Sequence, residues 1–96
     1  MLIDKAAEAL RTQRQLELRY ETFSRHVEVH AIGYSRTGRA ILRAWVRSGR
    51  RGELKGWKLL DLSEALDAEV SEAASIAPRR GYRRSDPGIE RIVWEL

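Results

Sequence analysis

Along residues 39–47, Arg39, Ile41, Arg43, Trp45 and Arg47 alternate with Ala40, Leu42, Ala44 and Val46. This period of two predicts a strand with aliphatic residues on one face and three arginines around a tryptophan on the other. Side chains two apart on a strand face lie about 6.5–7 Å from each other, so Arg39, Arg43 and Arg47 form a row at intervals of roughly 13 Å. A guanidinium presents a planar donor fork to phosphate or carboxylate, and an indole between such groups stacks on a base. The chemistry on offer is neutralisation of an anion combined with stacking, as in binding single-stranded nucleic acid. Arg36, Lys55 and Lys58 extend the cationic character. The competing reading covers Ile41 and Trp45 with the N-terminal helix or the C-terminal arm, the arginine stems lying along apolar surface.

The C-terminal arm repeats the theme with Arg79, Arg80, Tyr82, Arg83 and Arg84 around Gly81. Such a run suits phosphate contacts, which supply affinity and little sequence information. It equally suits folding back on the acids Asp61, Glu64, Asp67, Glu69 and Glu72. His26, Glu28 and His30 share a strand face, and this spacing could offer metal ligands. A catalytic metal needs three good ligands with support behind them; the chain has only two histidines. They are read as surface or rim side chains, and no metal or other cofactor is expected. A small acidic effector near His30 and Tyr34 is a further option. No glycine-rich phosphate loop and no Gly-x-Ser-x-Gly elbow occurs, so the chain reads as non-enzymatic. The absence of cysteine excludes a disulfide scaffold, a thiolate zinc site and a thiol nucleophile.

The elements that must position these residues follow from local pattern. Asp4 to Gln13 is alanine-rich, with Ile3, Ala6 and Leu10 at helical spacing. Leu16, Leu18 and Tyr20 alternate with charged residues as a first strand, and Phe23-Ser24-Arg25 falls at a hairpin turn. Val27, Val29 and Ala31 mark a second strand, Arg39 to Val46 the third, Trp57 to Leu62 the fourth, and Leu66, Ala68 and Val70 the fifth. One helix followed by five short strands predicts a mainly β domain closed as a small antiparallel barrel over residues 1–76. Residues 77–96 form the arm, packed on the domain or extending from it. Asp86-Pro87 resembles a helix start, so Ile89, Ile92, Val93 and Leu96 are expected on a short terminal helix; Ile92, Trp94 and Leu96 also suit a strand.

Composition agrees with a single domain: 96 residues, 43% hydrophobic and 33% charged. Residues 26–60 hold eight basic and two acidic side chains, whereas residues 61–77 hold five acidic and none basic. Fifteen of the eighteen basic residues are arginine. No apolar run approaches the roughly 18–20 residues of a membrane span and the first residues do not read as a signal peptide, so a soluble, cytoplasmic protein with no membrane partner is expected.

Three stretches together resemble the WYL domain family. They are Ala9-Leu10 through Leu16-Glu17-Leu18-Arg19-Tyr20; Val27 to Tyr34 followed by Gly38 to Trp45; and Gly56-Trp57-Lys58-Leu59-Leu60-Asp61-Leu62 with Pro78-Arg79-Arg80-Gly81-Tyr82-Arg83. The resemblance implies a five-stranded SH3-like or Sm-like barrel that senses nucleic acid or a nucleotide-like ligand in bacterial transcription regulation. With no reader domain in this chain, any regulation would need a separate regulator protein. Independently of the resemblance, Arg and Trp are common interface anchors, so the same stripe alternatively suits a protein-interaction module or a homodimer. The family's Trp-Tyr-Leu triplet falls on Ala40-Ile41-Leu42, where Leu42 alone matches. His30 matches the pocket histidine, but Ile41 replaces the tyrosine, and Asp61 and Glu64 stand where the family has arginines. Exchanging two cations for two anions inverts the local field. The resemblance therefore implies a degenerate pocket, with binding moved to Arg39, Arg43, Arg47, Lys58 and the tail, and stacking on Trp45 or Trp57.

Overall fold

The computed structural model describes residues 1–96. Helix α1 (Leu2–Thr12) leads into β1 (Arg14–Arg19), β2 (Ser24–Tyr34), β3 (Ala40–Ser48) and β4 (Gly56–Asp61). A 3₁₀ turn, Leu62–Glu64, then precedes β5 (Asp67–Ala74), and β6 (Arg91–Glu95) ends the chain. The ladders are antiparallel and run β4-β3-β2-β1-β5, an open sheet without a β4–β5 ladder to close it. None of its helices is long and apolar enough to cross a membrane.

Alanine lets α1 lie close to the sheet. Ile3, Ala6 and Ala9 are buried, and the helix packs across β1, β2 and β5. It stops at Gln13, whose left-handed backbone (φ 55) directs its N–H at the Ala9 and Leu10 carbonyls, closing the last turn. Beneath α1 lies the main core, built from Leu16, Leu18, Val27, Val29, Ile32, Leu42, Ala44, Val46, Leu60 and Leu62 with smaller residues between them. The period-two pattern of β3 is obeyed here, since Leu42, Ala44 and Val46 are buried in this core. The turn between β1 and β2 falls earlier than the sequence pattern suggests. Tyr20 donates its N–H to the Phe23 carbonyl at 2.8 Å, and Ser24 and Arg25 already belong to β2.

β2 is the long strand of the sheet, and its second edge is shared. Its N-terminal half pairs with β1 (Leu16 opposite Val27, Arg19 opposite Ser24) and its C-terminal half with β6 (Ala31 opposite Glu95, Tyr34 opposite Arg91). Of two irregularities against β3, the one at Val29/Ala31 falls between these halves, where the strand bends, and the one at His26/Val27 lies within the first half. Gly33 permits the β6 approach, because a Cβ there would collide with the Arg91 carbonyl and with Ile89.

The expected terminal helix is instead β6. The Asp86 carboxylate accepts the Gly88 N–H at 2.8 Å, and the Asp86 carbonyl accepts the Ile89 N–H at 3.1 Å. The segment that reads as a helix start is thus a tight Asx-type turn. The vacant half-edge of β2 then takes up the following residues as a strand, which overrides a local preference for helix.

Candidate functional site

Opposite residues in an antiparallel ladder share a sheet face. Glu28 lies opposite Trp45, Ala31 opposite Arg43, Trp45 opposite Trp57 and Arg43 opposite Leu59. Glu28, Arg43, Trp45, Trp57 and Leu59 therefore occupy the face away from α1. Lys58 does not join them: it lies opposite Ala44, on the core-facing side, and reaches Glu53 at 2.6 Å.

The outward face is covered by the C-terminal arm. Ile89 is buried against Ala31 and Ile41, with Tyr82 and Ile92 packed around them. Under this cover Glu28 and His30 are fully buried, which for His30 corrects its reading as a surface or rim side chain. Each is completely partnered. Glu28 Oε1 accepts from Arg79 Nε at 2.6 Å, while Oε2 accepts from the Ile76 N–H at 2.9 Å and from Arg47 Nη1 at 3.3 Å. Burial pushes this carboxyl up, but Arg79, the Ile76 N–H and Arg47 together hold it below the ordinary carboxylate range. His30 Nδ1 donates to the Glu28 carbonyl and Nε2 accepts the Arg79 N–H, both at 2.9 Å. Arg79 can donate only to an unprotonated nitrogen, so the ring is the neutral Nδ1–H tautomer. Burial also lowers its pKa. Both ring nitrogens are thereby used inside the protein.

The arginine row exists, but it is not a free ribbon. Arg39 pairs with Asp61 (2.8 Å), Arg43 with Asp86 through two bonds (2.5 and 3.2 Å), and Arg47 with Glu28. Each guanidinium already faces a carboxylate, and for the part-buried Arg43 this partner offsets the cost of covering its charge. Trp45 is half-buried, with its ring edge-on to Trp57 at 5.4 Å and the Arg79 guanidinium over it at 4.9 Å. The arm does not dock on the acidic stretch. Asp61 and Asp67 bind Arg39 and Arg19 within the sheet, whereas Glu28 and Arg43 receive the arm.

One hollow of about 220 Å³ remains where the arm crosses β3 and β4, lined by Arg43, Trp57, Gly81, Tyr82, Arg83, Asp86 and Pro87. The Trp57 and Tyr82 rings lie 28° from parallel with centroids 6.3 Å apart, and the His30 ring backs onto both at 4.6 and 5.1 Å. Gly81, at φ 92, brings the arm backbone close to Trp57: a Cβ there would lie 3.3 Å from the indole nitrogen. The Tyr82 hydroxyl donates to the Leu96 carbonyl at 3.3 Å, fixing the ring from behind. Arg83 is exposed at the rim and enters no ion pair, so the hollow combines aromatic walls, a locked Arg43 and one free cation.

Of the residues singled out in the sequence, Arg43, Trp57, Tyr82 and Arg83 line this hollow and His30 lies buried behind it, whereas Trp45 packs against Trp57 and Arg79 lies over Trp45 outside the lining. Arg36 sits exposed in the β2–β3 turn, Arg80 is exposed and unpaired, and Tyr34 lies beneath the Arg91 guanidinium at 4.8 Å, beyond the hollow. The sequence pattern marks Glu28 only as a metal-ligand candidate and Asp86 only as a helix start; their pairing with Arg79 and Arg43 has no local signal, because those partners are 51 and 43 positions away. No protein-family model matches the chain, and no curated protein and no solved structure matches it either.

Proposed function

We propose that this chain is a non-enzymatic binding module that takes a nucleotide-like anion in the hollow beside Arg43. The observation carrying this reading is the grouping of Trp57, Tyr82 and the unpaired Arg83 around one concave site. An aromatic wall stacks a planar ring and a free guanidinium holds a phosphate. The hollow is smaller than the roughly 300–1,000 Å³ of sites for drug-sized ligands, which suits one ring and one anionic group. The arginine row is neutralised from within, so a single terminal nucleotide of a nucleic-acid strand fits better than a strand running along β3. In this proposal the domain is WYL-like, with the bent β2 and the short turn joining β4 to β5 wrapping an SH3-like or Sm-like barrel, and it acts in the bacterial cytoplasm as the sensing part of a transcription regulator.

The test is a tryptophan-fluorescence titration with a nucleoside monophosphate and with a short single-stranded oligonucleotide over a fourfold range of salt. One contacted phosphate predicts about a 2–3-fold loss of oligonucleotide affinity over that range, whereas three would predict roughly 20-fold. Absence of a signal from either ligand up to millimolar concentration would refute the proposal.

A further inference from the structure

Every residue of the main core lies at or before Ala68, and its partly buried neighbours end at Val70. The helix and the five-strand path therefore complete their packing without the arm. Residues 75–90 belong to no helix or strand, and the arm they begin brings a separate small cluster around Ile89, on the other side of the sheet. The arm is held the way an extended peptide is held by a sheet edge. β6 adds to the vacant half of β2, Ile89 fills an apolar recess, and two charges of opposite sign are clamped: Arg79 on Glu28 and Asp86 on Arg43. Main-chain pairing supplies affinity in such additions, and the side-chain recesses set what is accepted.

We infer that this face is a receptor for the C-terminal arm of a second copy, and that two chains exchange arms to form a symmetric dimer. The occupant is named by complementarity: an acceptor face with a buried carboxylate and a fixed guanidinium matches an arm that carries an arginine, an aspartate seven residues later, and an isoleucine three beyond that. Each subunit of the exchanged dimer makes the same contacts as the closed monomer, so exchange leaves the contact energy nearly unchanged. The closed form is favoured by the high local concentration of a tethered arm, of millimolar order. Exchange is therefore concentration-dependent.

Charge reversal separates the two arrangements. Arg43→Asp places two acids at the clamp of one chain, and Asp86→Arg places two arginines at the clamp of another, so each alone mismatches its own arm. In an exchanged heterodimer both clamps are complementary. Arg43→Asp and Asp86→Arg chains are expected to be monomers alone and to form a 1:1 dimer when mixed at about 100 µM, well below the tethered-arm concentration, as read by light scattering behind size exclusion. A mixture that stays monomeric, or that refolds no better than its components, overturns the inference. A second measurement covers the case in which the reversed chains fold poorly. The protein has no cysteine, and Tyr34 and Arg91 are ladder partners, so Tyr34→Cys chains mixed with Arg91→Cys chains should give a disulfide-linked heterodimer. The double variant in one chain controls for bond geometry. Closure of the double variant without any mixed heterodimer, even near 1 mM, overturns the inference.

Discussion

Replacing Glu28 by glutamine is nearly isosteric, yet it should unseat the arm. The side chain has no exposed surface, and its two oxygens receive three donors: Arg79 Nε on Oε1, and the Ile76 N–H with Arg47 Nη1 on Oε2. An amide can keep the Arg79 bond on its carbonyl, but its NH₂ then points at the Ile76 N–H and at Arg47 as donor against donor. Two bonds are lost, and two guanidiniums face a neutral group in a covered site. Removing one partner of a buried ion pair costs about 3–5 kcal/mol. A domain of this size holds roughly 5–15 kcal/mol in all, so the substitution should remove about a fifth or more of the stability. At roughly 4–8 °C per kcal/mol for a domain of this length, the melting temperature should fall by at least about 12 °C. Denaturant unfolding followed by circular dichroism gives the free energy, and limited trypsin digestion reports the arm, since Arg80, Arg83 and Arg84 are exposed in it. Cleavage in the arm should accelerate well before the sheet unfolds. A loss below about 1 kcal/mol, within the range of ordinary surface substitutions, with unchanged cleavage, would refute the claim that Glu28 anchors the arm.

Stability should also decline in acid in two stages. His30 is held neutral with its pKa below the ordinary 6.5, so its contribution is complete above that value and is lost as pH falls through the lowered one. Burial alone raises the Glu28 carboxyl, but Arg79 and its neighbours lower it overall, and bonding to Arg43 lowers Asp86, so their contributions hold above their ordinary values of 4.5 and 3.8 and disappear below. Urea midpoints between pH 8 and pH 3 should be flat above about 6.5 and fall beneath it; midpoints that rise on acidification would contradict this. Gly33→Ala should detach β6 while sparing the main core, because its Cβ collides with the Arg91 carbonyl; faster amide exchange confined to residues 91–95 and their β2 partners is the expected reading, and unchanged exchange there would count against it. Arg83→Ala should weaken nucleotide binding about 10–100-fold, the worth of a charge-assisted hydrogen bond, with no loss of stability. Arg80→Ala should leave binding unchanged, and equal effects of the two would argue against a role specific to Arg83.

The five-strand path and α1 are legible because they obey local rules. Leu42, Ala44 and Val46 alternate with Arg43, Trp45 and Arg47, and the alanines of α1 recur at helical spacing where the helix meets the sheet. Alternation states which face a residue occupies and says nothing about what covers that face. Glu28 and His30 sit where solvent is expected, yet a glycine- and arginine-rich segment with one deeply buried apolar residue, Ile89, closes over them. The arginine row was legible as geometry, while its carboxylate partners, Asp61, Asp86 and Glu28, lie 22, 43 and 19 positions away, beyond any local pattern. The terminal segment was ambiguous for a related reason. Asp86-Pro87 carries a helix-start signature, but the Asp86 side chain is used by Arg43 and Gly88, and the free edge of β2 selects a strand.

Backbone, indole and arginine side-chain N–H resonances, followed by heteronuclear NMR during titration with a nucleoside monophosphate, test the central claim most directly. The largest shifts should fall on the Trp57 indole N–H, on Gly81, Tyr82 and Arg83, and on the Arg43 Nε–H locked to Asp86. Shifts centred on the exposed Arg36 turn or on the Arg50–Arg51 loop, or none at millimolar ligand, would contradict the account.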